Sequence, residues 1–92
     1  MEISHWKLSY HPEVKNKDIR TIPENIRNRI RRAIETRLVQ DPVLYGEPLR
    51  RSLKGYRKLR VGDYRVIYRI EHNEIFIIKI GHRREIYDHP LS

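Results

Sequence analysis

The segment Tyr64-Arg65-Val66-Ile67-Tyr68-Arg69-Ile70 places bulky apolar residues at every second position, with an arginine after the first and another before the last. A period of two residues is typical of a β-strand, whose successive side chains point to opposite faces of a sheet. The pattern therefore predicts a strand, continuing to Glu71, with one apolar face and one strongly basic face.

Several other segments have the composition of strands. They are Trp6, Leu8 and Tyr10 with their polar neighbours, and residues 49–53, 56–61 and 74–80. The pairs Gly62-Asp63 and His72-Asn73 separate successive strands by two residues, which is the length of a tight hairpin turn. We therefore expect hairpin-linked antiparallel strands in the C-terminal half of the chain.

Two helices are expected between the first strand and the hairpins. Residues 13–20 predict a short helix, and Thr21-Ile22-Pro23-Glu24 has the spacing of a capping box that starts a second one. Apolar residues then recur at helical spacing until about Gln40. The chain, 1–92, is thus predicted to be one α+β domain, in which helices cover one face of a mainly antiparallel sheet of three to four strands.

The loop 41–48 follows the second helix and contains several helix-breaking residues. Its apolar side chains Leu44 and Tyr45 are expected to plug the core. In the sheet, Leu59 and Val61 are expected to face the helices, so that Lys58 and Arg60 face away.

The same alternation assigns the remaining strands to two faces. Arg65 and Arg69 fall on the open face, and Phe76, Ile78 and Ile80 are expected on the core side of the last strand, leaving Lys79 and Arg83 on the open face. Ile67, Ile75 and Ile77 also fall on the open face, and an exposed apolar patch usually marks a partner site. We therefore expect these isoleucines to bind a partner protein beside a basic groove.

Charge and composition narrow the function classes. Lys and Arg number 20 against 12 Asp and Glu, so the 92-residue chain carries a net charge of +8. Such a balance favours nucleic acid, an anionic membrane surface or an acidic protein. The chain has no cysteine and its five histidines lack metal-site spacing, so no metal or cofactor is expected. It shows no signal peptide or apolar run of membrane-spanning length, and a cytoplasmic protein is expected.

Two motifs carry a resemblance to a known family. The segments Leu53-Lys54-Gly55-Tyr56-Arg57-Lys58-Leu59-Arg60-Val61-Gly62-Asp63-Tyr64-Arg65-Val66-Ile67-Tyr68 and Ile80-Gly81-His82-Arg83-Arg84-Glu85-Ile86-Tyr87 resemble the RelE/ParE superfamily of toxins from toxin–antitoxin pairs. The resemblance covers nearly the whole chain and implies a RelE-like fold. It also implies a cognate antitoxin from the adjacent gene and a toxin–antitoxin hetero-oligomer.

The RelE branch of this superfamily enters the ribosomal A site and cuts messenger RNA by driving a ribose 2′-hydroxyl onto the adjacent phosphate. By position, the resemblance implies that Arg65 and Arg83 hold the scissile phosphate, that Lys58 supports them, and that Tyr87 is the general base. Arg60 would be a further phosphate contact. Guanidinium groups suit this chemistry, because they stabilise the extra negative charge of a phosphorane without reorganising.

The chain departs from better-known members of the family at Tyr56, where they have a second lysine. Lys54 and Arg57 flank this position and are candidate RNA ligands, and Tyr56 is a candidate for stacking on a base. Arginine does not readily donate its proton, so the leaving 5′-oxygen needs another acid. His82 is available for this role, and the alternative is a structural hydrogen bonder at the end of a strand.

Two other functions stay open at this stage. The ParE branch of the superfamily poisons DNA gyrase, and the retention of Arg65, Arg83 and Tyr87 favours the RelE branch over it. The second alternative is a basic domain that binds nucleic acid or a partner without cutting. The arginines of the second helix predict a solvated face, with ribosomal RNA contact as the alternative; they are Arg27, Arg29, Arg31 and Arg32.

Overall fold

A computed structural model describes residues 6–49 and 55–87 of the chain. Its strands are β1 (Lys7–Tyr10), β2 (Glu47–Pro48), β3 (Tyr56–Val61), β4 (Tyr64–Glu71) and β5 (Glu74–His82). They form one sheet in the order β1-β5-β4-β3-β2, in which β1 runs parallel to β5 and the other neighbours are antiparallel. The predicted α+β class with a mainly antiparallel sheet is confirmed.

The helical layer lies between β1 and β2 in the chain. A π-helical turn (Val14–Asp18) continues as a 3₁₀ turn (Ile19–Thr21), and helix α1 (Glu24–Ala33) continues as a second π-helical turn (Ile34–Leu38). A short helix α2 (Arg83–Tyr87) follows β5 directly. None of the helices in the described ranges is long and apolar enough to cross a membrane.

The start of helix α1 differs from the predicted capping box. The hydroxyl of Thr21 donates to the carbonyl oxygen of Asp18, 2.9 Å away, and not to the following helix. Helix α1 begins at Glu24, after Pro23, and has no side-chain cap. The prediction was wrong because Thr21 completes the preceding 3₁₀ turn, which uses its hydroxyl locally.

Both predicted hairpin turns are confirmed. Gly62 and His72 adopt positive φ angles of 59° and 56°, as tight two-residue turns require. The predicted strand at 49–53 is wrong at its start: Leu49 lies outside a strand, while Glu47 and Pro48, expected in a loop, pair with β3. Residues 50–53 lie outside the described ranges.

The core lies between the helical layer and one face of the sheet. Its helical residues are Val14, Ile22, Ile30, Ala33, Ile34 and Leu38, and its strand residues are Leu59, Val61, Val66, Tyr68, Ile75, Ile77 and Ile80. A second, smaller cluster covers the opposite face and consists of Leu49, Ile67 and Ile86, with Tyr56 and Ile78 packed against it. The sheet is therefore apolar on both faces.

A β-bulge in β5 explains where the face assignment failed. Ile67 lies opposite Lys79, but its neighbour Tyr68 lies opposite Ile77, so Ile78 is an extra residue in β5. A single extra residue shifts the alternation, so every side chain on one side of it along the strand moves to the opposite face of the sheet. Ile75 and Ile77 consequently join the core, Ile78 joins the second cluster, and only Ile80 keeps its predicted side.

The predicted exposed patch of three isoleucines is therefore wrong. Ile75 and Ile77 are fully buried in the main core, and Ile67 is buried beneath Ile86 of helix α2. The residue pattern does not indicate the bulge, because neither a glycine nor a proline marks it.

A buried carboxylate lies at the edge of β5, beyond the end of its pairing with β1. Asp18 is 5% exposed, and its Oδ2 accepts a hydrogen bond of 3.0 Å from the backbone N–H of Ile80. Its Oδ1 accepts a hydrogen bond of 3.2 Å from Nζ of Lys79. Since β1 pairs with β5 only as far as Ile77, the carboxylate takes the place of a neighbouring strand.

Replacement of Asp18 by alanine is expected to lower the free energy of unfolding by about 1–3 kcal/mol, because the buried N–H of Ile80 loses its acceptor. Urea unfolding followed by circular dichroism measures the change. Glu13→Ala is the control, since Glu13 is an exposed acid in the same segment and should change stability by less than about 0.5 kcal/mol. Equal effects of the two substitutions would contradict the assigned role.

Candidate functional site

The two-residue turn between β3 and β4 organises a cluster of cations at one end of the sheet. Arg60 lies opposite Arg65 on the neighbouring strand, and Arg65 lies opposite Gly81. The backbone N–H of Arg83 donates to the carbonyl oxygen of Asp63, 2.8 Å away. The fold thus brings the backbone of Arg60, Arg65 and Arg83 to one end of the sheet, next to the Gly62-Asp63 turn.

Arg65 is buried and hydrogen-bonded to the turn, and it is not on an open face as predicted. It is 3% exposed, and its Nη1 donates to the carbonyl oxygens of Gly62 at 3.0 Å and Tyr64 at 2.9 Å. No acceptor for its Nε or Nη2 is found in the described ranges. Part of the guanidinium fork is thus fixed by the turn, while the rest has no hydrogen-bond partner among the described residues.

Helix α2 covers the face of the sheet on which Arg65 lies. A side chain added to Gly81 would come within 3.1 Å of Oε1 of Glu85 and 3.6 Å of Cδ1 of Ile86, so this helix lies directly over β5. The missing side chain at Gly81 is what allows the close approach. Glu85 was not singled out in the sequence, because nothing in its spacing indicates that its carboxylate folds back over the strand.

The exposed cations of the cluster are Arg60 and Arg83. Lys58 is half-buried in β3, two residues before Arg60 and therefore on the same face of the sheet, where it lies opposite Ile67. Tyr87 is the last residue of helix α2, and its side chain lies outside what the structure describes. Lys54 also lies outside the described ranges.

His82 is half-buried at the end of β5. Its ring packs edge-to-face against Tyr64, with 5.5 Å between the ring centroids. Its Nδ1 accepts a hydrogen bond of 3.2 Å from the backbone N–H of Arg84. A neutral imidazole that accepts at Nδ1 carries its proton at Nε2, so this histidine has one N–H available as a donor.

Two predicted RNA ligands are used inside the fold. The Nη2 of Arg57 donates to the carbonyl oxygens of Val43 at 2.8 Å and Gly46 at 2.9 Å. Tyr56 packs in the second apolar cluster, and the guanidinium of Arg69 lies 5.9 Å from its ring centroid. Arg57 and Tyr56 thus have contacts inside the fold, and their contacts with RNA stay predictions.

Arg57 is one of two side chains that anchor the loop preceding β2. The hydroxyl of Tyr68 donates to the carbonyl oxygen of Pro42, 2.6 Å away, and burial raises the pKa of this phenol above its ordinary value. The neutral phenol therefore keeps its proton for the bond at physiological pH. The loop is fixed by polar contacts to the sheet.

The prediction that loop side chains plug the core is wrong. Val43, Leu44 and Tyr45 are 59%, 69% and 44% exposed. Because Arg57 and Tyr68 hold the loop through its backbone, the adjacent side chains point to solvent. The exposed apolar surface thus lies on this loop, far in sequence from the isoleucines expected to provide it.

No group of three or more metal-binding side chains occurs among residues 6–49 and 55–87. A groove of about 390 Å³ lies between the first helical segment and helix α1. Its floor is apolar, with Ile19, Ile22 and Ile30, and its rim carries Lys15 and Arg31. It is separate from the cluster around Arg65.

Residues 8–87 match the family model described as the ParE toxin of the type II toxin–antitoxin system parDE. The chain is 44% identical to toxin RelG of Mycobacterium tuberculosis over 52 residues, which cover 54% of this chain and 60% of RelG. It is 36% identical to toxin RelE of the same organism over 73 residues, covering 77% of this chain and 75% of RelE. The match to RelG thus spans less than two thirds of that relative.

The fold is similar to a chain in the crystal structure of the toxin–antitoxin complex RelBE2 from Mycobacterium tuberculosis. The TM-score is 0.78 at 27% sequence identity, and the alignment covers 89% of this chain and 95% of the other. The architecture described above is therefore that of the RelE fold.

Proposed function

Because this chain belongs to the ParE toxin family of type II toxin–antitoxin systems, we propose that it is the toxin of such a pair and that it cleaves messenger RNA in the ribosomal A site. The observation that carries the proposal is the meeting of Arg60, Arg65 and Arg83 around the Gly62-Asp63 turn. A ribosomal target would place the activity in the cytoplasm.

The proposed reaction is an attack of the ribose 2′-hydroxyl on the adjacent phosphorus. The base removes the proton of the 2′-hydroxyl, the new O–P bond closes a 2′,3′-cyclic phosphate, and the bond to the 5′-oxygen breaks. Arg65 supports this step because its guanidinium is already oriented by Gly62 and Tyr64, so it need not reorganise when charge develops on the phosphate. Arg83 is exposed and approaches the same phosphate from helix α2.

Tyr87 is the proposed general base, one turn of helix α2 after Arg83. Positive charge close to a phenol favours the phenolate, which is the form that accepts a proton, so this role would require the hydroxyl of Tyr87 to reach the cluster of cations. The leaving 5′-oxygen needs a proton in return, and the proposed donor is His82 in its doubly protonated imidazolium form, which gives up the hydrogen bond that Nδ1 accepts from the N–H of Arg84. Lys58 would add positive charge on the same face of β3 as Arg60.

The proposed antitoxin would bind by charge and by apolar contact. The toxin carries a net charge of +8, which attracts an acidic segment. The exposed Val43, Leu44 and Tyr45 and the groove beside helix α1 offer the apolar surface that an amphipathic segment buries. The partner surface is thus proposed on the helix side and the loop.

The rival function is poisoning of DNA gyrase, which the name of the matching family favours. Incubation with programmed ribosomes separates the two, because a nuclease cuts the message whereas a gyrase poison leaves it intact and stabilises cleaved plasmid DNA. We expect cut message ending in a 2′,3′-cyclic phosphate, which mass spectrometry identifies. Intact message would refute the proposal, and cleavage of free RNA at the same rate would refute the dependence on the ribosome.

A further inference from the structure

A second group of cations lines a concave surface on the helix side of the sheet. This arginine cleft has a volume of about 210 Å³ and lies between helix α1 and strand β3. Its lining consists of Arg29, Arg32, Ala33, Thr36, Arg37 and Val61. The small apolar side chains of Ala33 and Val61 form the floor, and the arginine side chains form the walls.

Local helix geometry brings these arginines together. Arg29 and Arg32 are three residues apart and therefore lie on one side of helix α1. The helix then widens into the π-helical turn Ile34–Leu38, marked by the 3.0 Å hydrogen bond from Val39 N to Ile34 O. A π turn holds more residues than an α turn, which lets Arg37 follow Arg32 at a spacing of five.

The cleft has no counter-charge among the described residues. No carboxylate of residues 6–49 or 55–87 lies within ion-pair distance of Arg29, Arg32 or Arg37, and all three side chains are exposed. Grouped like charges repel one another, and a bound polyanion relieves that repulsion. The spacing of several guanidinium groups along a cleft suits a chain of phosphates better than a single carboxylate.

The cleft is continuous with the cluster around Arg65. A side chain added to Gly62 would lie 3.4 Å from both Nη1 and Nη2 of Arg29, so that guanidinium sits against the turn. The carbonyl oxygen of the same Gly62 accepts the hydrogen bond from Arg65. One glycine turn thus has a guanidinium on either side, and positive charge extends from the cleft across the turn.

We propose that the arginine cleft binds the phosphate backbone of RNA and guides the strand that passes Arg65 and Arg83. Its proposed role is affinity and positioning, since its arginines lie on the helix side of the Gly62 turn, away from Arg83. The choice of RNA as the polymer rests on the proposed function. The message and the ribosomal RNA share this phosphate chemistry, and the test must tell them apart.

The test compares two triple variants of equal charge. Arg29→Gln, Arg32→Gln and Arg37→Gln together remove the cleft, and Arg20→Gln, Arg27→Gln and Arg31→Gln remove three arginines elsewhere on the helical layer. Each variant lowers the net charge from +8 to +5, so a difference between them reports position and not total charge. Thermal unfolding by circular dichroism verifies that both are folded.

Binding is measured by fluorescence anisotropy with a short single-stranded RNA that carries 2′-O-methyl groups and therefore resists cleavage. A second arm uses ribosomes without message, and a third uses duplex DNA. Loss of the cleft should weaken RNA binding about tenfold or more and reduce the slope of log Kd against log salt by about 2, from three lost phosphate contacts on a single strand. A loss confined to the free RNA indicates message, and one confined to ribosomes indicates ribosomal RNA.

Equal losses in the two triple variants would overturn the inference, because binding would then follow net charge. Stronger binding of duplex DNA than of RNA would overturn it as well. The proposed function fails separately, when the unaltered protein does not cut message on ribosomes. If it cuts message and the cleft variant still binds RNA and ribosomes normally, only the inference fails.

Discussion

Replacing Arg83 by glutamine is expected to lower the rate of message cleavage by about 10²- to 10³-fold, the usual loss when one group that stabilises developing charge is removed. The side chain of Arg83 is exposed, and its contribution to the fold is the backbone N–H that donates to Asp63. Glutamine keeps that N–H and a polar hydrogen-bond donor while removing the charge. Single-turnover cleavage on programmed ribosomes gives the rate, and thermal unfolding should show an unchanged midpoint.

Arg84→Gln is the matched control for this prediction. Arg84 is the next residue of helix α2, is also exposed, and loses the same charge on substitution. If both variants lose activity equally, Arg83 contributes only general positive charge, and the specific role assigned to it is wrong. If Arg83→Gln binds ribosomes as tightly as the unaltered protein but cuts slowly, the lost interaction is one made in the transition state.

Gly46→Ala is expected to destabilise the protein by about 3–5 kcal/mol, combining overpacking with a lost buried hydrogen bond. The added Cβ would lie 1.6 Å from the hydroxyl oxygen of Tyr68 and 2.7 Å from its Cζ. Tyr68 is fully buried in the core, and Arg57 holds the carbonyl oxygens of Val43 and Gly46, so neither partner can move away easily. Urea unfolding measures the loss.

The double variant with Tyr68→Phe tests the cause. Removing the hydroxyl eliminates the closest clash, so Gly46→Ala should cost less in the Tyr68→Phe background than in the unaltered protein. Additive effects of the two substitutions would show that the clash is not the origin of the loss. An unchanged unfolding midpoint for Gly46→Ala alone would show that the loop rearranges freely.

The hairpins were predictable from the sequence because the residues that determine a strand and its turn are neighbours in the chain. Alternation in β3 and β4 and the two-residue turns at Gly62 and His72 appear in neighbouring residues, and the structure has them where they were expected. The α+β class followed from the order of these segments. The resemblance to the toxin family, carried by the same hairpin and by the residues after β5, agrees with the matching family model.

The predicted sheet faces were wrong for residues whose side of the sheet is determined by tertiary contacts. The extra residue Ile78 has no local signature, yet it reverses the sides of Ile75 and Ile77. Arg57 and Arg65 have the composition of surface cations, but each donates to backbone carbonyls that the chain brings to it from a loop or a turn. Arginine combines a long apolar stem with several donors, so its position depends on acceptors that a strand pattern cannot show.

The arginine cleft could not be predicted from the sequence pattern either. The arginines of helix α1 predicted a solvated face, and nothing in their spacing showed that Arg29 would lie against Gly62. That contact joins residues far apart in the chain. The π-helical turn that brings Arg37 to the same side is likewise a feature of the packed helix.

The parallel pairing of β1 with β5 has a consequence for biosynthesis. Strand β5 is translated after the other four strands, yet it lies between β1 and β4 in the sheet. While residues 74–82 are still inside the exit tunnel, β1 has no neighbour to hydrogen-bond with, and Arg65 lacks the strand that carries Gly81. Contacts between such distant segments also form slowly. A nascent chain therefore gains its cluster of cations only after residues 74–82 have left the exit tunnel.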